Sequence, residues 1–163
     1  MYDCWTLLQE IDDYKTVRDV YRKISEVEIG YRSLDINSYD CLKDTINCCM
    51  CLIGRGRINP VEYEYLSSGI DAIAGHVYNG KINGEYAVAY GSELLGFATH
   101  LFADKTEYHR IDNPGEYSNI QLNIHGSRVI KGLRKTNPIA YAHILRSINL
   151  LQERGLYTES ILK

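Results

Sequence analysis

The stretch EYAVAYGSELLGFATHLFA, residues 85–103, decides the fold. Read as a strand, Tyr86, Val88 and Tyr90 alternate with Ala87 and Ala89. Read as a helix, Ala87, Gly91, Gly96 and Ala98 are small residues that let a neighbouring helix approach closely. The run is long and largely apolar, and strands rarely exceed about eight residues, so the helix is favoured. The chain then reads as mainly α: a compact single-domain bundle of about five to six helices. One minority alternative remains, a small two-stranded hairpin around 82–90 and 119–125. There Ile120, Leu122 and Ile124 alternate with Asn119, Gln121, Asn123 and His125.

The prolines give the strongest local signals outward from this stretch. There are three, and each follows an asparagine: Asn59-Pro60, Asn113-Pro114 and Asn137-Pro138. An asparagine side chain caps an orphan helix N–H, and proline at the first helical position gives up no bond. Glu62 and Glu116 fall where a carboxylate can reach back to the cap. Three helix starts are therefore expected, with periodicity weakest after Pro114. The full reading has a helix over 3–29 stopped by Gly30, and a second from Ser38 to just before Gly54. A third runs over 60–78 and ends at Asn79-Gly80, with Tyr65, Leu66, Ile70, Ile73, Ala74 and Val77 inward. Residues 81–84 make a turn. A helix over 127–135 and a clear one over 138–154, stopped by Gly155, complete the set.

Composition bounds the function classes. The 163 residues carry 18 Lys+Arg and 21 Asp+Glu, with 45% hydrophobic residues. That is ordinary globular usage, and it argues against disorder and against a uniformly basic protein. A chain of this length buries roughly 70% of its unfolded surface and needs no disulfide or metal staple. The N-terminus lacks the basic start and apolar core of a secretory signal, and no run approaches about 18 apolar residues. Five cysteines, three of them crowded at Cys48, Cys49 and Cys51, do not form a secreted disulfide framework. They read as small core hydrophobes, since the second ligand pair that zinc needs is missing. The expected compartment is the cytoplasm, or a host cytoplasm if the source is viral.

The net charge of −3 hides an asymmetry. Residues 1–108 sum to −7 and residues 109–163 to +4. Between Tyr117 and Gln152 there is no Asp or Glu. That stretch holds Arg128, Lys131, Arg134, Lys135 and Arg146. In a helix Arg128, Lys131 and Lys135 share one face and Val129, Ile130 and Leu133 another. Such a face attracts phosphates or an acidic protein surface, or it is simply solvated. The loop Gly54-Arg55-Gly56-Arg57-Ile58-Asn59-Pro60 leads into a helix N-terminus, so Arg55 and Arg57 are candidates for anion binding. The plainer reading is a glycine-capped helix end with two solvated arginines.

Tyrosine outnumbers phenylalanine 14 to 2. Tyr63, Tyr86, Tyr90, Tyr108 and Tyr117 are candidates for an interaction surface, because tyrosine offers large area at low entropy cost. Core edges with the hydroxyl outward are the alternative. Asp71 with His76, Glu93 with His100 and Glu107 with His109 are the carboxylate–histidine pairs, but none has metalloprotease spacing. No nucleophile elbow or dinucleotide fingerprint is present, and no cofactor is implied.

The profile is that of a non-catalytic binding or regulatory protein that engages a protein or protein–nucleic acid partner, with self-pairing as a homodimer compatible. A phage or mobile-element inhibitor of a host nucleic-acid-targeting defence complex fits it. The alternatives are a direct nucleic-acid or nucleotide-binding protein using the C-terminal basic helices, and a metal-dependent hydrolase built on the Glu/His set.

Overall fold

Residues 85–102 lie in a helix, and the cap explains why. The Asn83 side chain accepts from the backbone N–H groups of Glu85 and Tyr86 at 2.9 and 3.0 Å. This satisfies two donors that a helix start leaves open. In the computed structural model, which describes residues 1–78, 82–121 and 128–155, seven α-helices follow in order. They are α1 (Tyr2–Gln9), α2 (Tyr14–Tyr31), α3 (Ser38–Ile53), α4 (Pro60–Ala74), α5 (Gly84–Phe102), α6 (Arg128–Thr136) and α7 (Pro138–Glu153). A single 3₁₀ turn, Pro114–Tyr117, lies between α5 and α6. No strand occurs among the described residues. The hairpin is thereby corrected: residues 84–90 are helical, residues 119–121 are irregular, and residues 122–125 lie outside the described set.

The α5 helix is the axis of the molecule. It packs between α3 and α7, with α1 laid across it. Val88, Leu95, Ala98 and Leu101 from α5 meet Ile46, Cys49, Met50 and Ile53 from α3 and Tyr141, Ile144, Leu145 and Ile148 from α7. Each fully buried aliphatic side chain contributes about 1.5–3 kcal/mol of transfer free energy. A smaller cluster of Leu52, Ile70, Ile82 and Ala87 holds α4. The Trp5 ring of α1 stacks on Tyr90 of α5 with centroids 3.9 Å apart. The remaining helices sit at the periphery: α2 against α3, and α6 against α7.

Helix ends depart from the sequence expectation in four places. The helix expected over 3–29 is two helices. Asp13 accepts from Thr16 N at 3.0 Å and from the Thr16 hydroxyl at 2.6 Å, and so opens α2 afresh. At the end of α1, Arg110 Nη2 donates to the carbonyls of Leu8 and Gln9 at 2.9 and 2.6 Å. Gly30 does not stop α2, which runs on to Tyr31; the left-handed residue after it is Ser33, at φ 53°. The α4 helix ends at Ala74, and the expected stop at Asn79-Gly80 lies outside the described residues. Tyr65 on α4, expected inward, is 74% exposed. The start at Asn113-Pro114 gives only one turn, in which Asn113 Oδ1 accepts from Gly115 N at 3.1 Å. Elsewhere the asparagine caps act as expected. Asn59 accepts from Glu62 N, and Asn137 from Ala140 N, both at 3.1 Å. Gly155 follows α7 in the left-handed region, at φ 63°.

Candidate functional site

The basic surface is built by α6. Its nine residues, RVIKGLRKT, bury Ile130 and Leu133 and leave Arg128, Lys131, Arg134 and Lys135 exposed. The two apolar anchors fix the helix against α7, so the cations must point outward. Lys131, Arg134 and Lys135 then border one open cavity of about 480 Å³, together with Gly132, Gln121 and Tyr141. Tyr141, buried on α7, donates from its hydroxyl to the Ile120 carbonyl at 3.0 Å. Arg128 stands one turn earlier on the same helix. No ion pair involves these four cations among the described residues. The sequence does not single out Gln121, Gly132 or Tyr141 as site residues: Gly132 sits on α6 itself, Tyr141 comes to the cations through the packing of α6 on α7, and Gln121 lies ten positions before Lys131 along the chain.

Arg55 and Arg57 do not line this cavity. They sit on the loop between α3 and α4, both exposed, with Arg55 and Gly56 in the left-handed region at φ 49° and 75°. Gly56 is held tightly: a Cβ there would come within 2.9 Å of Tyr63 Cδ1. Tyr63 therefore closes the loop. The α4 N-terminus is already served in part by the Asn59 cap.

Arg146 belongs to a different environment. It is half-buried, its guanidinium lies 5.1 Å from the centroid of the Tyr108 ring, and Nη1 donates to the His109 carbonyl. Around it are His100, His143 and Glu93, with Gly96 at the centre of the group. A Cβ on Gly96 would meet His143 Nδ1 at 3.0 Å, and Arg146 Nη2 and Tyr108 Oη at 3.6 Å each. His100 Nδ1 pairs with the Gly96 carbonyl at 2.7 Å. Glu93 Oε2 accepts from Trp5 Nε1 and from Gln9 Nε2, the latter at 3.0 Å. Burial holds His100 down to about 4, with Arg146 adding to the effect against the Gly96 bond. Burial, then the Arg146 charge, brings His143 down to about 3. Both rings are neutral at ordinary pH, so the 4.0 Å approach of His143 to Glu93 is not an ion pair. This network ties the 104–113 segment and α1 to the core.

The other candidates fall apart in space. Glu107 and His109 form an exposed surface pair at 3.3 Å, and Asp71 and His76 are both exposed at the end of α4. Among the described residues no three His, Cys, Asp or Glu side chains converge as a metal site would need. Cys49 and Cys51 are buried, and burial pushes the Cys49 thiol up to about 12. The tyrosines divide. Tyr90 is buried under Trp5, and Tyr108 is shared with the histidine network. Tyr117 is half-buried beside Arg146, and Tyr86 keeps an exposed edge against Tyr90. Among the described residues the most exposed tyrosines are Tyr31, Tyr65 and Tyr78; spacing places Tyr65 inward and singles out neither of the other two.

No protein-family model matches the chain, and no curated protein and no solved structure is similar to it. No described helix is long and apolar enough to cross a membrane.

Proposed function

We propose that this chain is a non-catalytic binding protein that meets a macromolecular partner through α6, and that the partner's matching surface is acidic protein. One observation carries the reading: Lys131, Arg134 and Lys135 converge on a single open cavity, and none forms an ion pair with a described carboxylate. Lys131 and Lys135 are four residues apart, a like-charge pair that destabilises a helix by about 0.2–0.5 kcal/mol. A complementary surface would turn that cost into steering and affinity. Four cations on one short helix are fewer than the six to ten or so phosphate contacts of a typical nucleic-acid footprint, which favours protein over nucleic acid. An inhibitor of a nucleic-acid-targeting complex working through α6 would have to engage it outside the phosphate-binding channel, because the two surfaces share one sign.

The test is fluorescence anisotropy with two labelled probes, a polyglutamate peptide and a single-stranded oligonucleotide of equal charge. The wild type should bind polyglutamate in a salt-sensitive way, and Lys131→Ala/Arg134→Ala/Lys135→Ala should lose about tenfold or more. Equal binding by the wild type and the triple variant would overturn the assignment of α6. Tighter binding of the oligonucleotide would move the reading to direct nucleic-acid recognition.

A further inference from the structure

The α2 helix has a mixed side turned to the core and a separate apolar stripe turned away from it. Tyr14 is buried, and Arg18, Tyr21 and Ser25 are half-buried on the side toward the core. Tyr21 donates to the Ser38 carbonyl at 3.0 Å, and the Arg22 guanidinium pairs with Asp104. The apolar stripe consists of Val20, Ile24, Val27 and Tyr31, exposed by 45%, 57%, 69% and 88%. At about 100° per residue the centres of the two faces lie about 120° apart. The stripe is therefore not an edge of the core-facing side. Leu34 and Ile36, beyond the helix end, are exposed as well.

The spacing of the stripe is four, three, four. That is the alternation of first and fourth positions in a seven-residue repeat, the pattern that brings two helices together along a seam. Val17, half-buried, occupies the preceding first position. Ile24 and Tyr31 occupy the following first positions, and Val20 and Val27 the fourth. The flanks of the seam are charged with opposite signs: Lys23 on one side and Glu28 on the other, both exposed, with Glu28 also 3.6 Å from Arg32 one turn on in its own chain, an exposed pair that leaves the carboxylate open to a second cation. In a parallel pair, Lys23 of one copy faces Glu28 of the other, and by symmetry the contact occurs twice. In an antiparallel pair each flank meets its own kind, and neither contact forms.

We infer that α2 pairs in parallel with α2 of a second copy of this chain, through Val20, Ile24, Val27 and Tyr31 with Lys23–Glu28 contacts on both flanks. The core of each copy lies well around the helix from the seam, so the two bodies stand clear of each other. The inference does not depend on the role given to α6. Four apolar positions per chain make a small interface, at the transient end below about 1,200 Å², so association in the micromolar range is expected.

Sedimentation equilibrium across low-micromolar to several-hundred-micromolar protein tests this. The wild type should shift from one chain toward two. Ile24→Glu/Val27→Glu should remain single at every concentration. Both positions are exposed, so its circular dichroism and melting should match the wild type. Lys23→Glu alone and Glu28→Lys alone should each weaken association about tenfold, and Lys23→Glu/Glu28→Lys should restore it. Residues 23 and 28 lie about 140° apart around one helix, so the restoration cannot come from a contact within a chain. A wild type that stays monomeric, a mass of three chains, association by the Ile24/Val27 variant, or a charge swap that does not restore binding would each overturn the inference.

Discussion

The same substitution at two glycines of α5 is expected to have opposite effects. Gly91 and Gly96 are both buried and both inside the helix. Replacing either with alanine gains about 1 kcal/mol of helix propensity. At Gly91 the new methyl would lie 3.8 Å from Met1 Sδ, 3.9 Å from the Cys49 carbonyl oxygen and 4.0 Å from Leu52 Cβ. Those are ordinary contacts, and burying a methyl adds about 0.8 kcal/mol. Gly91→Ala should therefore stabilise by about 1–2 kcal/mol. At Gly96 the methyl would come within 3.0 Å of His143 Nδ1. The His143 ring is 2% exposed and has no solvent to retreat into. Overpacking of this kind costs about 1–3 kcal/mol, so the net effect should be a loss of up to about 2 kcal/mol. The assay is urea unfolding at neutral pH, with thermal melting as a second readout. For a chain of this size 1 kcal/mol moves Tm by about 2–4 °C. Gly96→Ala/His143→Ala should lose less than the sum of the single changes, because the clash is gone. Equal stabilisation by both alanines would refute the reasoning, since it would show that α7 is not held off α5 by the histidine ring.

Three further outcomes follow from the same packing. His100 and His143 are neutral in the fold, at about 4 and about 3, but titrate near 6.5 when unfolded. Below about pH 6.5 the unfolded chain takes up protons that the folded chain does not, so stability falls with acidification until the folded values are reached. At pH 5 each ring should account for about 2 kcal/mol of loss, and His143→Gln should halve the drop in urea titrations; an unchanged pH slope would contradict the assignment. In thiol titration Cys4, which is exposed, should react first. Cys49 is buried with its thiol pushed up to about 12, and buried Cys51 is also shifted upward by desolvation, so both should wait for unfolding; five equal rates would be inconsistent with this core. Asn137→Ala should cost about 1 kcal/mol through loss of the α7 cap, and Asn113→Ala less, since that residue opens only one 3₁₀ turn; equal costs in urea unfolding would count against it.

The acid-free stretch located the α6 cations, but the sequence grouped Arg146 with them. The difference is one of direction. Val129, Ile130 and Leu133 reveal which way α6 faces, whereas Arg146 lies on a helix apolar nearly all round, where no local pattern says that it points toward Tyr108. The exposure of the tyrosines is likewise a matter of direction. Tyr90 is buried because Trp5, 85 positions earlier, lies on it, while Tyr65 on α4 stays 74% exposed.

Most helix starts, the helical character of the long central segment and the unbalanced positive charge of the last third are all legible in the amino-acid sequence. Those features close within three or four residues, as when Asn59 and Asn137 cap the turns they open. The break between α1 and α2 has a local half, the Asp13 cap on Thr16, and a distant half, Arg110 reaching back 102 positions to the Leu8 carbonyl. The tertiary structure alone placed Lys131, Arg134 and Lys135 around one cavity, separated Arg55, Arg57 and Arg146 from it, and left the apolar stripe of α2 uncovered. The distant half of the break and these placements depend on which side chain arrives at a helix face, and spacing along the chain does not carry that information.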